Sequence, residues 1–279
     1  MSLRTLPELP AISMRSGLGS EISPSALGKW QAEIKAAEET DNTISILGTI
    51  GADFFGDGIT ARRVSAALRS IGDREVVVNI NSPGGDFFEG LAIYNLLREH
   101  KQKVTVKVLG MAASAASVIA MAGDRVEVPR AGFLMIHNTW VLAVGDRHDL
   151  RDFADVLEPF DSAAAEVYAA RSGLDTKEIG KMMDKETWIG GQAAVDKGFA
   201  DALLPADQVT KDAKAQGELG VNAAARRVEM ILAKAGLPQA DRKRLISELK
   251  SGTRDVADDA TRDVGDPALR DMLSRIDIN

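Results

Sequence analysis

Residues 75–85 read Glu75-Val76-Val77-Val78-Asn79-Ile80-Asn81-Ser82-Pro83-Gly84-Gly85. The first seven form a nearly unbroken apolar, β-branched run. Such a run marks a strand buried on both faces, as strands of a parallel sheet are. Pro83 pushes Ser82 away from helical angles, and two glycines then permit backbone angles closed to other residues. The same rhythm continues on both sides. Before the run come a β-branched stretch, Ile44–Ile50, and an amphipathic helix, Thr60–Ile71. After it come a helix over Phe88–His100, an alternating strand over Lys103–Leu109, and a small, apolar helical stretch over Ala112–Ala122. Two short strands (Arg125–Val128 and Gly132–Ile136), a long Ala-rich helix (Asp149–Arg171) and a short helix (Gly191–Lys197) complete the pattern. This alternation predicts an α/β fold with mostly parallel strands. In such sheets chemistry gathers in loops beyond the carboxyl ends of the strands.

Composition bounds the rest. The 279 residues are 45% apolar, enough for a packed core, and carry a net charge of −7. No apolar run approaches the roughly 18 residues of a membrane span. The chain has no cysteine, which excludes disulfides and thiolate metal sites. The acidic balance argues against nucleic acid as a partner. Met1–Arg15 has no apolar segment of the secretory type, so the expected location is the cytoplasm. Phe199 is the last aromatic residue. From Ala206 onward the chain carries 13 Lys/Arg and 13 Asp/Glu and no aromatic ring, which is thin material for a core. The expected organisation is an N-terminal extension (1–40) with a helix over Ser25–Glu39 capped by Ser23 or Ser25, a main domain (41–205), and a charged tail (206–279). Within the tail, helices are expected near Asn222–Ala235 and Gln239–Lys250, with a loose stretch over Ser251–Asp266.

Three strand ends carry residues suited to chemistry. Asn81–Gly85 leaves backbone N–H groups pointing outward, as an anion-binding turn does, although ordinary strand-to-helix turns share this composition. Gly110-Met111-Ala112-Ala113-Ser114-Ala115-Ala116-Ser117 places Ser114 among small residues at the start of a helix, where free N–H groups favour a developing negative charge. A tightly packed Ala/Ser helix accounts for the same pattern and is the better account of Ser117. His137 closes the apolar run Gly132–Ile136 and so lies near solvent at a strand end. His100 ends a helix, and His148 sits in a charged stretch. A serine nucleophile needs a base, and the base an orienting acid. Asp184 and Glu186, in Met183–Trp188, both qualify, and both are equally compatible with solvated surface charge.

Four segments, in this order, resemble the proteolytic subunit of the Clp protease and its bacteriophage head-maturation relatives. They are INSPGG (Ile80–Gly85), GMAASAAS (Gly110–Ser117), FLMIHN (Phe133–Asn138) and ETWIGGQAAVDKGFADAL (Glu186–Leu203). The likeness covers roughly residues 43–205. It implies a crotonase-like ββα spiral with mostly parallel strands, in which the long helix projects as a handle. The charged helical C-terminal extension stands outside it. It implies Ser114 as nucleophile, His137 as general base, and the backbone N–H groups of Gly85 and Ala115 as oxyanion donors. An extended peptide would bind beside Gly84 and Gly85. The acid position falls on Glu186, two residues before Trp188; the cellular protease usually has Asp there, so Asp184 is the second candidate.

The resemblance further implies protein or peptide substrates, a homo-oligomeric ring, and no metal or organic cofactor. The cellular enzyme works with a hexameric AAA+ unfoldase. The phage relatives cut scaffold and capsid precursors inside immature heads without one. The charged tail favours the phage-type role, with an ATP-dependent Clp subunit as the alternative. A crotonase-type acyl-CoA enzyme and an inactive capsid-assembly scaffold are the remaining rivals. Neither membrane nor nucleic acid is an expected partner.

Overall fold

The computed structural model describes residues 19, 20, 22–51, 58–143 and 145–211, with scattered positions between 225 and 248. The first half of the chain forms β1 (Gly19–Ser20), α1 (Pro24–Lys29), β2 (Ile34–Ala36), β3 (Thr43–Leu47), α2 (Ala61–Ile71) and β4 (Val76–Ser82). There follow α3 (Phe87–Arg98), β5 (Val104–Ala113), α4 (Ala115–Ala120), β6 (Arg125–Pro129), β7 (Phe133–Ile136) and β8 (Val141–Leu142). The last part holds α5 (Arg147–Ser172), α6 (Thr176–Asp184), β9 (Thr187–Gly190), α7 (Gly191–Asp196), β10 (Ala202–Leu204) and β11 (Val209–Lys211).

The expected α/β architecture is present. Strands β10-β6-β5-β4-β3 lie side by side, all in parallel register. β4 is buried along almost its whole length, as its unbroken apolar run requires. Val78, Ile80, Val106, Val108 and Val126 have no exposed surface and join α2, α3, α4 and α5 in one core. β5 is longer than its neighbours and serves two of them. Its first half pairs with β6, and its last three residues pair in parallel with β7. β9 then closes that corner by pairing antiparallel with β7. Three chain segments therefore end together: β4 at Ser82, β5 at Ala113 and β7 at Ile136.

Helix ends follow their caps. Thr60 accepts from Arg63 N–H at the start of α2. Asp86 accepts from Phe88 and Glu89 N–H at the start of α3. Asp146 and Asp149 form a reciprocal capping box that starts α5 two residues before the expected Asp149. At the far end of α5, the buried Arg171 guanidinium donates to Asp201 and to the carbonyls of Gly123 and Phe199. Its charge is thus fully partnered, the condition for burying it.

Two expectations are corrected. The helix predicted over Ser25–Glu39 stops at Lys29. Trp30 turns extended and donates its indole N–H to the Asn81 carbonyl at 3.2 Å. The Asn81 side-chain amide takes the carbonyls of Gln31 (2.8 Å) and Ile34 (3.1 Å), acceptors that a continuing helix would need. Residues 34–36 then pair with β11, from beyond residue 205. The helix predicted over Ala112–Ala122 begins only at Ala115, because Met111–Ala113 remain strand, paired with β7.

The chain divides into two compact units, Met1–Arg227 and Val228–Asn279. Near the end of the first unit, described position 225 is helical. In the second, described positions 228, 232, 241, 242 and 244–248 are helical, within the two predicted tail helices. Met1–Arg15 and the stretch Ser251–Asp266 lie outside the described residues.

Candidate active site

The site grows out of the three strand ends. After β4, Gly84 N–H donates to Ser82 Oγ at 3.1 Å, closing a tight turn. Gly84 O accepts from Ile50 N–H, and Asp86 N–H donates to Ile50 O, so the turn is bridged to residue 50 on both sides of Gly85. Both glycines are required by geometry. Gly84 has φ +91°, and a Cβ there would lie 2.7 Å from Ser114 Cβ. Gly85 has φ +146°, and a Cβ there would lie 2.1 Å from Ile50 O. The absence of side chains lets this turn lie directly against Ser114.

Ser114 sits at the junction of β5 and α4 with φ 55° and ψ −127°, angles rare for any residue with a Cβ. Such a conformation costs about 1–3 kcal/mol and persists only where surrounding contacts hold it. Those contacts are explicit. Ser114 N–H donates to Met135 O at 2.9 Å, on the strand that carries His137. Ser114 O accepts from Ser117 N–H (2.9 Å), Val118 N–H (3.3 Å) and Ser117 Oγ (2.7 Å). The strain aims the Ser114 side chain out of the helix, toward His137.

His137 follows β7, and its Nε2 lies 2.7 Å from Ser114 Oγ. Burial pushes the imidazole below its ordinary range, and the negative charge of Glu186 opposes that shift. A neutral imidazole accepting at Nε2 and protonated at Nδ1 has the form of a general base. Gly85, Phe87, Ser114, Val118, His137 and Tyr168 share the lining of a pocket of about 10 Å³ beside the hydroxyl. Ala115 follows Ser114 directly and opens α4.

The two acid candidates part company. Glu186 has φ 48°, a left-handed turn that sets it apart from Asp184. Its carboxylate accepts from the Ser25 hydroxyl, from Ser23 Oγ at 3.3 Å and from Trp188 Nε1 at 3.4 Å. Burial alone would raise the Glu186 carboxyl, but Ser25, Trp188, the charge of His137 and Ser23 outweigh it and hold it below the usual range. Asp184 is exposed and accepts from Asn138 Nδ2 at 2.9 Å. Glu186 is thus the carboxylate whose charge acts on His137. Among the described residues, no carboxylate accepts a hydrogen bond from the other ring nitrogen of His137.

Sequence reasoning missed several neighbours. Ser23 occupies the cap position of α1, yet its hydroxyl does not cap that helix and goes to Glu186 instead. Lys29 lies 4.0 Å over the ring of Trp188, adding a second tie between α1 and the acid segment. Asp161 of α5 accepts Thr139 N–H at 2.6 Å, two residues past His137. Burial raises the Asp161 carboxyl, Thr139 pulls it down, and Asp184 adds to the rise. No local signal in the sequence joins residues 161–163 positions apart.

The profile of the Clp protease family matches residues 42–207. The chain is 29% identical over 186 residues to an ATP-dependent Clp protease proteolytic subunit of Ligilactobacillus salivarius, covering 66% of this chain and 93% of that protein. It is 27% identical over 203 residues to ATP-dependent Clp protease proteolytic subunit 3 of Streptomyces avermitilis, covering 72% and 85%. It is 30% identical over 134 residues to proteolytic subunit 3 of Rhodococcus jostii, covering 47% and 66%. The matched span takes in all three strand ends and the acid segment.

Proposed function

The chain belongs to the Clp protease family, and we propose that it is a serine endopeptidase with Ser114 as nucleophile, His137 as general base and Glu186 as acid. The observation that carries this proposal is the 2.7 Å contact between Ser114 Oγ and His137 Nε2, made by two residues at adjacent strand ends. The hydroxyl proton passes to His137 as Oγ attacks a peptide carbonyl. The oxyanion forms against the backbone N–H groups of Gly85 and Ala115, with the peptide extended beside Gly84 and Gly85. His137 then protonates the leaving amine. A water molecule activated by the same imidazole hydrolyses the acyl-enzyme and frees Ser114. Asp184 is bound to Asn138 and is the weaker candidate for the acid.

The substrates in this proposal are proteins or peptides, and the working form is a homo-oligomeric ring. The proposed division is an N-terminal extension (1–40), a protease domain (41–205) and a charged tail (206–279). Capsid or scaffold precursors fit a protease with such a tail, inside a host cytoplasm or an immature head. The names of the relatives favour a second setting, protein degradation with an ATP-dependent unfoldase. Among the described residues no helix is long and apolar enough to cross a membrane.

The test compares wild type with Ser114→Ala on an unfolded protein substrate, with native mass analysis of both. The expected result is cleavage by wild type without added ATPase, none by the variant, and the same subunit number for each. Cleavage by the variant equal to wild type would remove Ser114 from the mechanism.

A further inference from the structure

The carbonyl of Ser114 is held by more than its own helix. Ser117 Oγ lies 2.7 Å from that carbonyl, which offers only lone pairs, so the single Ser117 hydroxyl proton points to Ser114. Ser117 Oγ also lies 2.7 Å from Tyr168 Oη. With the Ser117 proton committed, Tyr168 must be the donor in that second bond. The chain of protons is therefore fixed: Tyr168 O–H to Ser117 Oγ, then Ser117 O–H to Ser114 C=O. Both side chains are buried, Ser117 at 0% and Tyr168 at 1% exposure, so water does not replace either bond. Burial raises the Tyr168 hydroxyl well beyond the ordinary phenol range, with the Ser117 bond opposing, so it stays a donor at every working pH.

This pair explains a buried serine that packing alone does not require. It also supplies what the strained Ser114 needs. The angles φ 55° and ψ −127° turn the backbone so that Oγ meets His137. The carbonyl on the far side of that turn must be pinned, or ψ relaxes and carries the side chain away. Two of its three donors come from the α4 backbone; the third is the Ser117–Tyr168 pair, anchored on α5.

We propose that Ser117 and Tyr168 are positioning residues for the nucleophile: their paired hydroxyls clamp the Ser114 carbonyl and hold Oγ in line with His137. This rests on Ser114 being the nucleophile, and the experiment separates the two claims. Wild type, Ser117→Ala, Tyr168→Phe and the double variant are compared by peptidase kinetics, by the rate of fluorophosphonate attachment to Ser114, and by thermal unfolding. Tyr168→Phe keeps the ring that packs 6.3 Å from Phe199 and removes only the hydroxyl. Ser117→Ala removes one atom and keeps the helix.

Each single variant is expected to lose about tenfold in kcat and in labelling rate, the scale of one hydrogen bond. KM and the acid limb of the pH profile stay at the wild-type values. The double variant loses no more than Ser117→Ala, because the phenol acts only through Ser117. Wild-type kcat and labelling in both folded single variants would overturn the clamp and leave Ser114 as nucleophile. Losses that multiply in the double variant, or that appear in KM alone, would also overturn it. Failure of wild type to label at Ser114 would instead sink the nucleophile assignment, and the clamp with it.

Discussion

Ser114 and His137 are held by backbone; Glu186 is held by side chains. The nucleophile and the base stand at the ends of β5 and β7, strands that pair residue for residue up to Ala113 and Met135. Ser114 N–H is bonded directly to the β7 carbonyl of Met135. Their 2.7 Å contact is therefore a product of sheet register, which a surface change cannot easily disturb. Glu186 depends on hydroxyls of Ser23 and Ser25, more than 160 positions away, and on Trp188. A site built this way has a reacting pair set by sheet register and an acid set by side chains of a distant segment. That segment is itself packed, with Ser23, Ala26, Leu27 and Trp30 buried.

The backbone-held pair carries the largest expected effects. His137→Ala is expected to lower kcat by at least about 10⁴-fold with the fold intact, as in other serine hydrolases stripped of their base. Steady-state kinetics with circular dichroism checks this; a loss under tenfold would remove His137 from the reaction. Gly85→Ala tests the turn that faces them. A Cβ there meets Ile50 O at 2.1 Å, so the turn must shift, and kcat falls by about 10²–10³, the cost of misplacing one oxyanion donor. KM rises as well, because the peptide lies beside this turn; unchanged kcat would exclude Gly85 from the oxyanion site.

The side-chain-held acid answers more softly and through pH. Glu186→Gln is expected to cost less than the ~10⁴-fold seen when an acid directly bonded to the imidazole is neutralised, because Glu186 acts on His137 through its charge. The sign of its pH effect follows from that charge. Glu186 raises the His137 pKa against the dominant lowering by burial. The wild-type acid limb of kcat/KM therefore falls below the ordinary imidazole value of about 6.5, and Glu186→Gln moves it lower still. Asp184→Asn leaves kcat within about twofold and the limb in place. A limb that moves in Asp184→Asn but not in Glu186→Gln would exchange the two acids.

Ser25→Ala carries the smallest effect. It removes a donor that holds the Glu186 carboxyl down, at a partly exposed site, and so lowers stability by about 1 kcal/mol. Chemical unfolding at neutral pH measures that loss. The loss fades as pH falls through the depressed Glu186 pKa, because the bond stabilises the ionised form. A variant as stable as wild type at all pH values would remove Ser25 from the acid's support.

What the sequence made legible divides along the same line. The unbroken run of β4 and the apolar run ending at His137 name buried parallel strands, and chemistry at their carboxyl ends follows from topology. The register that brings Ser114 to His137 is a consequence of those runs. The bracket of residues 23–36 was not legible, because Asn81 captures the Gln31 and Ile34 carbonyls from 47–50 positions away and ends what local propensity reads as a helix. The choice between Asp184 and Glu186 was open for a related reason. Spacing cannot say which of two carboxylates will act on the imidazole, and the left-handed φ of 48° at Glu186 is visible only in the folded backbone. Ser117 read as packing because its partner, Tyr168, lies 51 positions on, across a buried interface.

The most direct measurement is fluorophosphonate labelling of the full chain followed by peptide mapping. A single adduct on Ser114, absent in Ser114→Ala and strongly slowed in His137→Ala, is the predicted result. An unlabelled wild-type chain, or an adduct on another serine that persists in Ser114→Ala, would contradict it.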